Sequence, residues 1–453
     1  MQTFDVVVIG GGPAGEVAAG RLGGDGLSVA LVERELVGGE CSFWACMPSK
    51  ALLRPAEALD EIDRIPGAKE AVTGSLSVTA TLARRDHVIH DLDDSSQLPW
   101  LEQNNVRLIR GEATVTGERT VQVGDETIEA RKAVIVATGT RATLPPIEGL
   151  AEAEPWTNRE ITTTKRVPAS MVIVGAGVVG VEMSQAWSRL GSEVVLIEPE
   201  ERILMREEPF ASEQVIEALR KHGVDVRLNT GVKSVRREAG EAVVTLDGGE
   251  VVTAEEIVVT AGRTPNTGAV EPLGFEADKS IEVGEHMQST KFDWLYALGD
   301  VNGEVLLTHM GKYQAAIATE HICGRDYDMT RDANGPQSPR VIFTDPQVAA
   351  VGHTEHTARE AGLNIRIVEV ETSGNAGGSF HGRGSTGTAR MIVDTDRHVI
   401  CGATVTGPDV AEFIHAFTIA IVGEVSMERL WHAVPCFPTR SEIWLRLLES
   451  YRK

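Results

Sequence analysis

Two apolar runs of the chain each end in a glycine-rich turn, followed by a helical pattern and a second strand. The first run is DVVVIGGGPAG at 5–15, and the second is MVIVGAGVVG at 171–180. The strands that follow, SVALVE and EVVLIE, end in Glu33 and Glu198. Short apolar runs bounded by glycine predict buried strands, so we expect two strand–turn–helix–strand units. Their turns have the spacing G-x-G-x-x-G and contain Gly10, Gly12, Gly15, Gly175, Gly177 and Gly180.

The two turns have the pattern of dinucleotide-binding sites. Glycine lets the backbone turn sharply and approach a pyrophosphate, which then lies at a helix N-terminus where amides and the helix dipole favour an anion. In both copies the acid follows the third glycine by 18 residues (15 to 33 and 180 to 198), and its carboxylate would accept hydrogen bonds from ribose hydroxyls. A glycine-rich turn without a ligand is the alternative, but two equally spaced copies favour two dinucleotide sites.

Two dinucleotides in one chain indicate an electron relay between a bound flavin and a nicotinamide. Glu198 would repel a 2′-phosphate, which favours NADH over NADPH. Arg202 and Arg206 lie just downstream and leave NADPH open as the alternative.

Length and charge narrow the class of protein. The 453 residues exceed what one ordinary core needs, so we expect two to four domains. A net charge of −23 argues against nucleic acid or an anionic membrane as a partner, and no apolar run reaches the ~18 residues of a membrane span. The N-terminus enters a strand at once without a basic segment, so we expect no secretory signal and a cytoplasmic protein.

Two of the five cysteines, Cys41 and Cys46, have only four residues between them. In an ideal helix their Cα atoms would be about 8–9 Å apart, beyond the limit of about 7 Å for a disulfide. A bonded pair therefore requires a distorted turn, and Pro48 suits the first turn of a following helix. Cys46 would then lie near a helix N-terminus, which favours a reactive thiolate, with Lys50 one turn later.

A redox-active pair is the interpretation that the flavin pattern just upstream favours. A zinc half-site is one alternative, but zinc needs two further ligands and C-x4-C is not a usual finger spacing, so we predict no metal site. Two buried cysteines without redox chemistry are the other alternative.

Further motifs follow in a fixed order along the chain. They are C-x4-C-x-P-x-K at 41–50, VIVATGT at 134–140, TAGRTPN at 260–266, LYALGD at 295–300, VIFTDPQVAAVG at 341–352 and PTRSE at 438–442. With these motifs the chain resembles the pyridine nucleotide–disulfide oxidoreductases over nearly its whole length. That family includes dihydrolipoamide dehydrogenase, glutathione reductase and mercuric reductase.

The resemblance implies an α/β fold with two Rossmann-like dinucleotide-binding domains, one for FAD and one for NAD, and a C-terminal α+β dimerisation domain. The FAD-binding domain would be split between residues 1–150 and 270–335. The NAD(P)-binding domain would occupy 151–269 between them, and 336–453 would form the interface of a homodimer.

The resemblance also implies roles for single residues. In such enzymes NADH reduces FAD, and FAD reduces a cysteine pair; Cys46 would be the thiol against the flavin and Cys41 the interchange thiol that attacks the substrate. Lys50 would lie near the flavin N5, paired with Glu182, and Asp300 would contact the ribityl chain. A solvated helix charge is the alternative for Glu182, and a turn residue for Asp300. The implied cofactor-binding residues include two motif glycines, Gly139 and Gly262.

The largest departure from the family is in HAVPCFPTRSE at 432–442. Disulfide reductases of the family have a histidine there, which shuttles a proton for the interchange thiol and is oriented by a glutamate. This chain keeps Glu442 but has Phe437 at the histidine position, and a phenyl ring cannot transfer protons. Three explanations stay open: a substrate thiol that leaves without a proton, a substrate that is not a disulfide, or His432 in the histidine's role.

Bulky residues flank the predicted thiol site. Phe43 and Trp44 stand where many relatives have small or polar residues. They are either core packing or the walls of an apolar substrate pocket that would also include Phe437. Glu40 replaces the usual threonine before the first cysteine and adds a negative charge.

We therefore predict an FAD-dependent NAD(P)H:disulfide oxidoreductase that reduces a small-molecule disulfide. The alternative is an NAD(P)H-dependent reductase of a quinone or a metal ion on the same scaffold, in which the thiols are partly dispensable. A flavin-binding protein with a decayed site is a third hypothesis, against which the joint retention of the predicted catalytic residues counts. Those residues are Cys41, Cys46, Lys50, Glu182 and Glu442.

Overall fold

The computed structural model of the protein describes residues 2–325, 333–335, 337–382, 384–385 and 387–453. The chain forms two compact units, each assembled from three segments. Unit 1 consists of Met1–Pro48, Asp86–Thr143 and Arg263–Pro336. Unit 2 consists of Ser49–Arg85, Leu144–Gly262 and Gln337–Lys453.

The strands of the described residues are, in chain order, β1 (Gln2–Ile9), β2 (Val29–Glu33), β3 (Val106–Arg110), β4 (Ala113–Gly117), β5 (Thr120–Val123), β6 (Glu126–Val136), β7 (Thr140–Ala142), β8 (Ser170–Val174), β9 (Glu193–Ile197), β10 (Asp225–Arg227), β11 (Val232–Glu238), β12 (Glu241–Leu246), β13 (Val251–Ala254), β14 (Glu256–Val259), β15 (Arg263–Pro265), β16 (Leu295–Ala297), β17 (Arg340–Ile342), β18 (Gln347–Gly352), β19 (Ile365–Glu371), β20 (Thr388–Asp394) and β21 (Val399–Gly407).

The α-helices of the described residues are α1 (Pro13–Gly24), α2 (Gly39–Phe43), α3 (Cys46–Asp63), α4 (Val78–Val88), α5 (Leu98–Gln103), α6 (Asn158–Thr163), α7 (Val178–Arg189), α8 (Pro209–Lys221), α9 (Thr308–Ile322), α10 (Glu355–Glu360), α11 (Ala376–Ser379), α12 (Val410–Val422), α13 (Met427–Leu430) and α14 (Glu442–Tyr451). Short 3-10 helices are formed by Lys69–Ala71, His90–Leu92, Ser95–Gln97, Gly268–Leu273 and Gly299–Asn302.

Unit 1 is built around one sheet with the strand order β3-β2-β1-β6-β5-β4, in which β16 also pairs with β6. Strands β3, β2, β1 and β6 run parallel, as do β16 and β6, whereas β5 pairs antiparallel with β4 and β6. Alternate residues of β1 face opposite sides of the sheet: Val6 and Val8 pack with α1 and α9, while Val7 and Ile9 join the core of the other face. Both faces are therefore covered, which explains the unbroken apolar run of β1.

The described residues of unit 2 contain a parallel sheet in the order β10-β9-β8-β14 and an antiparallel sheet β11-β12-β13. A second antiparallel sheet has the order β17-β18-β21-β20-β19. Helices α7 and α8 bury their apolar sides against the parallel sheet, with Trp187 of α7 fully buried. Helices α12 and α14 pack on the C-terminal antiparallel sheet.

The two predicted strand–turn–helix–strand units are confirmed as β1-α1-β2 and β8-α7-β9. In each unit, the glycine turn follows the carboxyl end of a parallel strand and leads directly into a helix. Ligands of such sheets bind at the carboxyl ends of the strands. No helix among the described residues is long and apolar enough to cross a membrane.

Candidate active site

In the glycine turn of unit 1, two positions are closed to a side chain because a Cβ atom would collide with the protein, and a third is open to one. Gly10 has a φ of +101°, and a Cβ on it would lie 2.4 Å from the carbonyl oxygen of Ala137. A Cβ on Gly15 would lie 1.9 Å from the Gly10 carbonyl oxygen, so glycine is needed for α1 to approach β1. A Cβ on Gly12 would meet no atom within 4 Å. Because Gly12 immediately precedes α1, this open space lies at a helix N-terminus, which suits a phosphate.

The glycine turn of unit 2 has the same distribution of closed and open positions. Gly175 has a φ of +103°, and a Cβ on it would lie 2.9 Å from the Thr260 carbonyl oxygen. A Cβ on Gly180 would lie 2.0 Å from the Gly175 carbonyl oxygen, whereas one on Gly177 would meet nothing within 4 Å. The open position again precedes a helix, here α7. The two sequence motifs therefore fold into two equivalent turns.

The two acids that follow the turns are fixed by matching hydrogen bonds. Glu33 accepts one from the Gly11 amide and one from the Glu35 amide, both at 2.6 Å. Glu198 accepts the corresponding hydrogen bonds from the Ala176 amide at 2.7 Å and from the Glu200 amide at 3.1 Å. Each carboxylate thus lies beside its glycine turn. The open space, helix amides and acid form a donor and acceptor set that fits a dinucleotide in each unit.

Asp300 belongs to the 3-10 helix Gly299–Asn302 of unit 1 and accepts a hydrogen bond from the Thr140 hydroxyl at 3.0 Å. Burial raises the pKa of the Asp300 carboxyl, and the bond from Thr140 opposes this shift. Gly139, next to Thr140, has a φ of +65°, and Gly262 has a φ of +122°. Both motif glycines therefore have left-handed backbone conformations that favour glycine.

Small residues bring the Asp300 turn and α9 close to α1. A Cβ on Gly299 would lie 3.3 Å from the Ala14 side chain, and a Cβ on Gly311 of α9 would lie 3.2 Å from it. Larger side chains at these positions would separate the three segments. Asp300 and the start of α9 are thereby held in the same unit as the first glycine turn.

The cysteine pair lies where one short helix ends and another begins. Cys41 is in α2, and Cys46 is the first residue of α3. Trp44 between them has a φ of −133° and interrupts the helix, so the segment has the break that a disulfide between the cysteines would require. Both cysteines are thiols in this structure.

The segment that carries Cys41 starts directly against the first glycine turn. The Gly38 amide donates to the Gly11 carbonyl oxygen at 2.7 Å, and a Cβ on Gly39 would lie 2.8 Å from the Gly12 Cα. Gly38 and Gly39 have φ values of +115° and +57°. Glycine is required both for these conformations and for the close approach. The segment that carries the thiols therefore lies beside the first glycine turn.

One hydroxyl group contacts both thiols. Thr308 Oγ1 donates a hydrogen bond to Cys41 Sγ at 3.0 Å and lies 3.5 Å from Cys46 Sγ. Thr308 is the first residue of α9, and the sequence analysis did not identify it. The one available signal was its place shortly after the LYALGD motif, at the start of the next helical pattern.

The two thiols are electrostatically coupled. The Cys46 side chain raises the pKa of Cys41 well above its usual range, and burial adds to the rise. The hydrogen bond from Thr308 and the positive charge of Lys312 partly oppose it. A second negative charge on the pair is therefore strongly disfavoured, and the reduced pair carries at most one thiolate near neutral pH.

Lys50 and Glu182 form the predicted ion pair within unit 2, with 2.7 Å between Lys50 Nζ and Glu182 Oε2. The other carboxylate oxygen accepts a hydrogen bond from the Phe343 amide at 2.9 Å. Lys50 Nζ also lies 4.9 Å from the centroid of the Phe343 ring. Glu182 is only 2% exposed, which contradicts the alternative of a solvated helix charge. The place of this pair near a flavin stays a prediction.

The three aromatic residues assigned to a substrate pocket have different surroundings. Phe43 is 2% exposed and packs against Trp44, with 5.8 Å between the ring centroids. Its burial favours core packing for this residue. Phe437 is 78% exposed in the single chain. A pocket role for Trp44 and Phe437 stays a prediction.

Glu442 is the first residue of α14 and has a backbone partner. Its Oε2 accepts a hydrogen bond from the Gly377 amide at 2.8 Å, which ties the start of α14 to α11. His432 and Cys436, in the segment before it, are exposed. The glutamate therefore has a structural contact here, and its predicted catalytic role stays a prediction.

Two family models match the chain. The model described as "Pyridine nucleotide-disulphide oxidoreductase" matches residues 4–319, and the model of the dimerisation domain of that family matches residues 338–447. The second match supports the predicted homodimer.

The chain is also similar to complete proteins. It is 32% identical over 468 residues to a dihydrolipoyl dehydrogenase of Thermus scotoductus, covering 100% of this chain and 98% of the relative. It is 27% identical over 450 residues to a mercuric reductase of Lysinibacillus sphaericus, covering 97% and 81%. Among solved structures, the HOCl-induced flavoprotein disulfide reductase RclA from Escherichia coli has the same fold, with a TM-score of 0.86, 23% identity and coverage of 98% of this chain and 99% of that one.

These similarities confirm the predicted α/β fold with a C-terminal dimerisation domain, and the family to which the motifs pointed. Members of the family are flavin-dependent enzymes that use FAD and NAD(P)H. The chain belongs to the pyridine nucleotide-disulphide oxidoreductase family.

Proposed function

We propose that the protein is a homodimeric, NADH-dependent flavoenzyme that reduces a small disulfide through Cys41 and Cys46. The observation that carries the proposal is the start of α2 against the Gly10–Gly15 turn, which puts a pair of neighbouring thiols beside the turn that fits FAD. A cysteine pair in that place is suited to exchange electrons with a flavin.

The residues assigned to FAD are the Gly12 turn for the pyrophosphate, Glu33 for the ribose and Asp300 for the ribityl chain. Lys50, held by Glu182, is assigned to the flavin N5. FAD, when bound, would take two electrons from NADH and deliver them to the Cys41–Cys46 disulfide. The remaining chemistry belongs to the side chains of the protein.

Two electrons and one proton break the disulfide and leave one thiolate and one thiol, in keeping with the coupling between the two sulfurs. The Cys41 thiolate attacks one sulfur of the substrate disulfide, forms a mixed disulfide and releases the first substrate thiolate. Cys46 then attacks Cys41 Sγ, restores the protein disulfide and releases the second substrate thiol. One substrate disulfide thus gains two electrons and, from the Cys46 thiol, one proton, and the first thiolate released can take its proton only from the solvent.

The proposal includes NADH as the electron donor. Glu198 lies beside the second glycine turn and would repel a 2′-phosphate. Arg202, one of the two arginines considered for binding such a phosphate besides the exposed Arg206, donates instead to the Leu204, Met205 and Glu207 carbonyl oxygens. Its engaged guanidinium supports the preference for NADH.

The substrate class follows from the missing imidazole. With Phe437 at the histidine position, no ring nitrogen protonates the departing thiolate there. We therefore propose a disulfide whose thiols have low pKa values and leave as thiolates.

A second candidate is the reduction of a non-disulfide acceptor, such as a quinone or a metal ion. It is favoured by the same segment: Phe437 has no exchangeable proton, and Glu442 is bonded to the Gly377 amide. In that case electrons would leave from the flavin and Cys41 would be dispensable.

The test is Cys41→Ser in the purified flavoprotein, with Cys323→Ser as the matched cysteine control in the same unit. NADH titration without oxygen should give wild type a long-wavelength absorbance band from a thiolate beside the flavin. Turnover of NADH with a panel of small disulfides should fall about 10³-fold or more in Cys41→Ser and stay unchanged in Cys323→Ser. Wild-type kcat/KM should be higher with NADH than with NADPH.

Undiminished disulfide turnover in Cys41→Ser would contradict the proposal. Undiminished turnover with quinones or metal ions, together with no disulfide activity in wild type, would establish the second candidate instead.

A further inference from the structure

The hydroxyl of Thr308 is placed to serve either sulfur of the thiol pair. It donates to Cys41 Sγ at 3.0 Å, and its oxygen lies 3.5 Å from Cys46 Sγ, a contact in which either atom can be the donor. A hydroxyl has one proton to donate and lone pairs to accept with. It can therefore accept a proton from one sulfur while donating its own to the other.

The position of Thr308 in the fold adds to this effect. It is the first residue of α9, a helix of 15 residues, and the positive end of the helix dipole lies at that end. Lys312 follows one turn later, and its charge favours ionisation of Cys41. The helix end and Lys312 therefore both favour a negative charge on sulfur and partly offset the opposing effects of Cys46 and burial on Cys41.

The single negative charge of the thiol pair has to change place during the proposed reaction. The charge starts on the sulfur against the flavin, which is assigned to Cys46, and is needed on Cys41 for attack on a substrate. In this chain the position of the family's proton-carrying histidine holds Phe437.

We infer that Thr308 is a catalytic residue that moves the proton between Cys41 and Cys46 and so prepares the Cys41 thiolate for attack. The inference rests on the proposed use of this pair in disulfide reduction.

The transfer is balanced without a further reactant. Cys41 S–H gives its proton to Thr308 Oγ1, and the Thr308 hydroxyl proton passes to the Cys46 thiolate. One S–H bond breaks and one forms, the threonine hydroxyl is regenerated, and the pair keeps one negative charge. No electrons are transferred in this step.

The test compares Thr308→Val, which keeps the shape of the side chain, with Thr308→Ser, which keeps the hydroxyl. The holoenzyme is reduced with NADH without oxygen and exposed to iodoacetamide over a range of pH, and alkylation of Cys41 and of Cys46 is measured separately by peptide mass spectrometry. Thr319→Val, on the same helix but bonded to Arg21, is the matched control.

A lost hydrogen bond to a thiolate should raise the midpoint of Cys41 alkylation by about one to two pH units, which lowers its rate at neutral pH about 10- to 100-fold. Thr308→Ser should restore the wild-type midpoint, and Thr319→Val should keep it. If Thr308→Val does not retain flavin, Thr308→Ala serves the same comparison.

A Thr308→Val midpoint within about 0.3 pH unit of wild type would overturn the inference. So would a Thr308→Ser enzyme that behaves like Thr308→Val. Because alkylation is measured without a disulfide substrate, failure of this test is distinguishable from failure of the Cys41→Ser turnover test, and an unshifted midpoint leaves the proposed function standing.

Discussion

Substitution of the open glycine in each turn should affect nucleotide binding without affecting folding. Gly177 has ordinary backbone angles, with φ −73°, and a methyl group there would meet no protein atom within 4 Å. Gly177→Ala should therefore fold normally. The methyl group would instead occupy the space at the start of α7 into which the pyrophosphate of NADH is expected to fit.

The expected magnitudes differ between binding and stability. A Gly→Ala change at a compatible φ stabilises a protein by about 0.4–1 kcal/mol. Keeping the pyrophosphate away from the helix amides should remove at least one charge-assisted hydrogen bond, worth about 1.5–3 kcal/mol. That loss corresponds to a rise of about 10- to 150-fold in the KM for NADH.

Gly180→Ala is the contrasting variant, because its Cβ would lie 2.0 Å from the Gly175 carbonyl oxygen and 2.9 Å from Thr260 Oγ1. Backbone would have to move, so this variant should lose about 1–3 kcal/mol of stability or more. Gly12→Ala is the equivalent substitution in the turn of unit 1, and this variant should fold but lose bound FAD.

The assays are the flavin content of the purified protein, its Tm, and the KM for NADH. Gly177→Ala should keep its flavin content and have an equal or slightly higher Tm while its KM for NADH rises, and Gly12→Ala should lose flavin. An unchanged KM in Gly177→Ala, or full flavin content in Gly12→Ala, would refute the assignment of the open positions to the two pyrophosphates.

Two further predictions concern buried carboxylates. Both oxygens of Glu182 accept hydrogen bonds, so the amide of Glu182→Gln must turn its NH2 group towards either Lys50 or the Phe343 amide. We expect the variant to lose about 1–2 kcal/mol of folding stability, limited by the partial exposure of Lys50 and measured as a lower Tm. A decrease in Tm no larger than that of the exposed Glu213→Gln would contradict this expectation. Burial raises the pKa of Asp300, so its contribution to stability is present at low pH and is lost as the pH rises through its folded-state pKa. In flavin-free protein, Asp300→Asn should therefore have the higher Tm at neutral pH and lose this advantage towards about pH 4; parallel pH profiles for the two proteins would show that burial of Asp300 carries no such penalty.

Features that depend on neighbouring residues could be predicted from the sequence. The apolar runs before Gly10 and Gly175 became buried parallel strands because both faces of such strands are covered. The spacing of the glycines fixed the turns, since a side chain at Gly15 or Gly180 would collide with the first glycine of its own motif. A disulfide between Cys41 and Cys46 would likewise require a break in the helix, and the chain has that break at Trp44.

The tertiary structure decided which distant side chains complete the site. Thr308 reaches Cys41 from 267 residues further along the chain, and Glu182 meets Lys50 across 132 residues. The sequence suggested the second pair through a family resemblance, and for the first it offered only the place of Thr308 shortly after the LYALGD motif. Such contacts depend on how helices pack, as when Gly299 and Gly311 let α9 lie close to Ala14 of α1. Local pattern fixes the turn that a ligand needs, but only packing brings a hydroxyl group from another segment to the sulfur it serves.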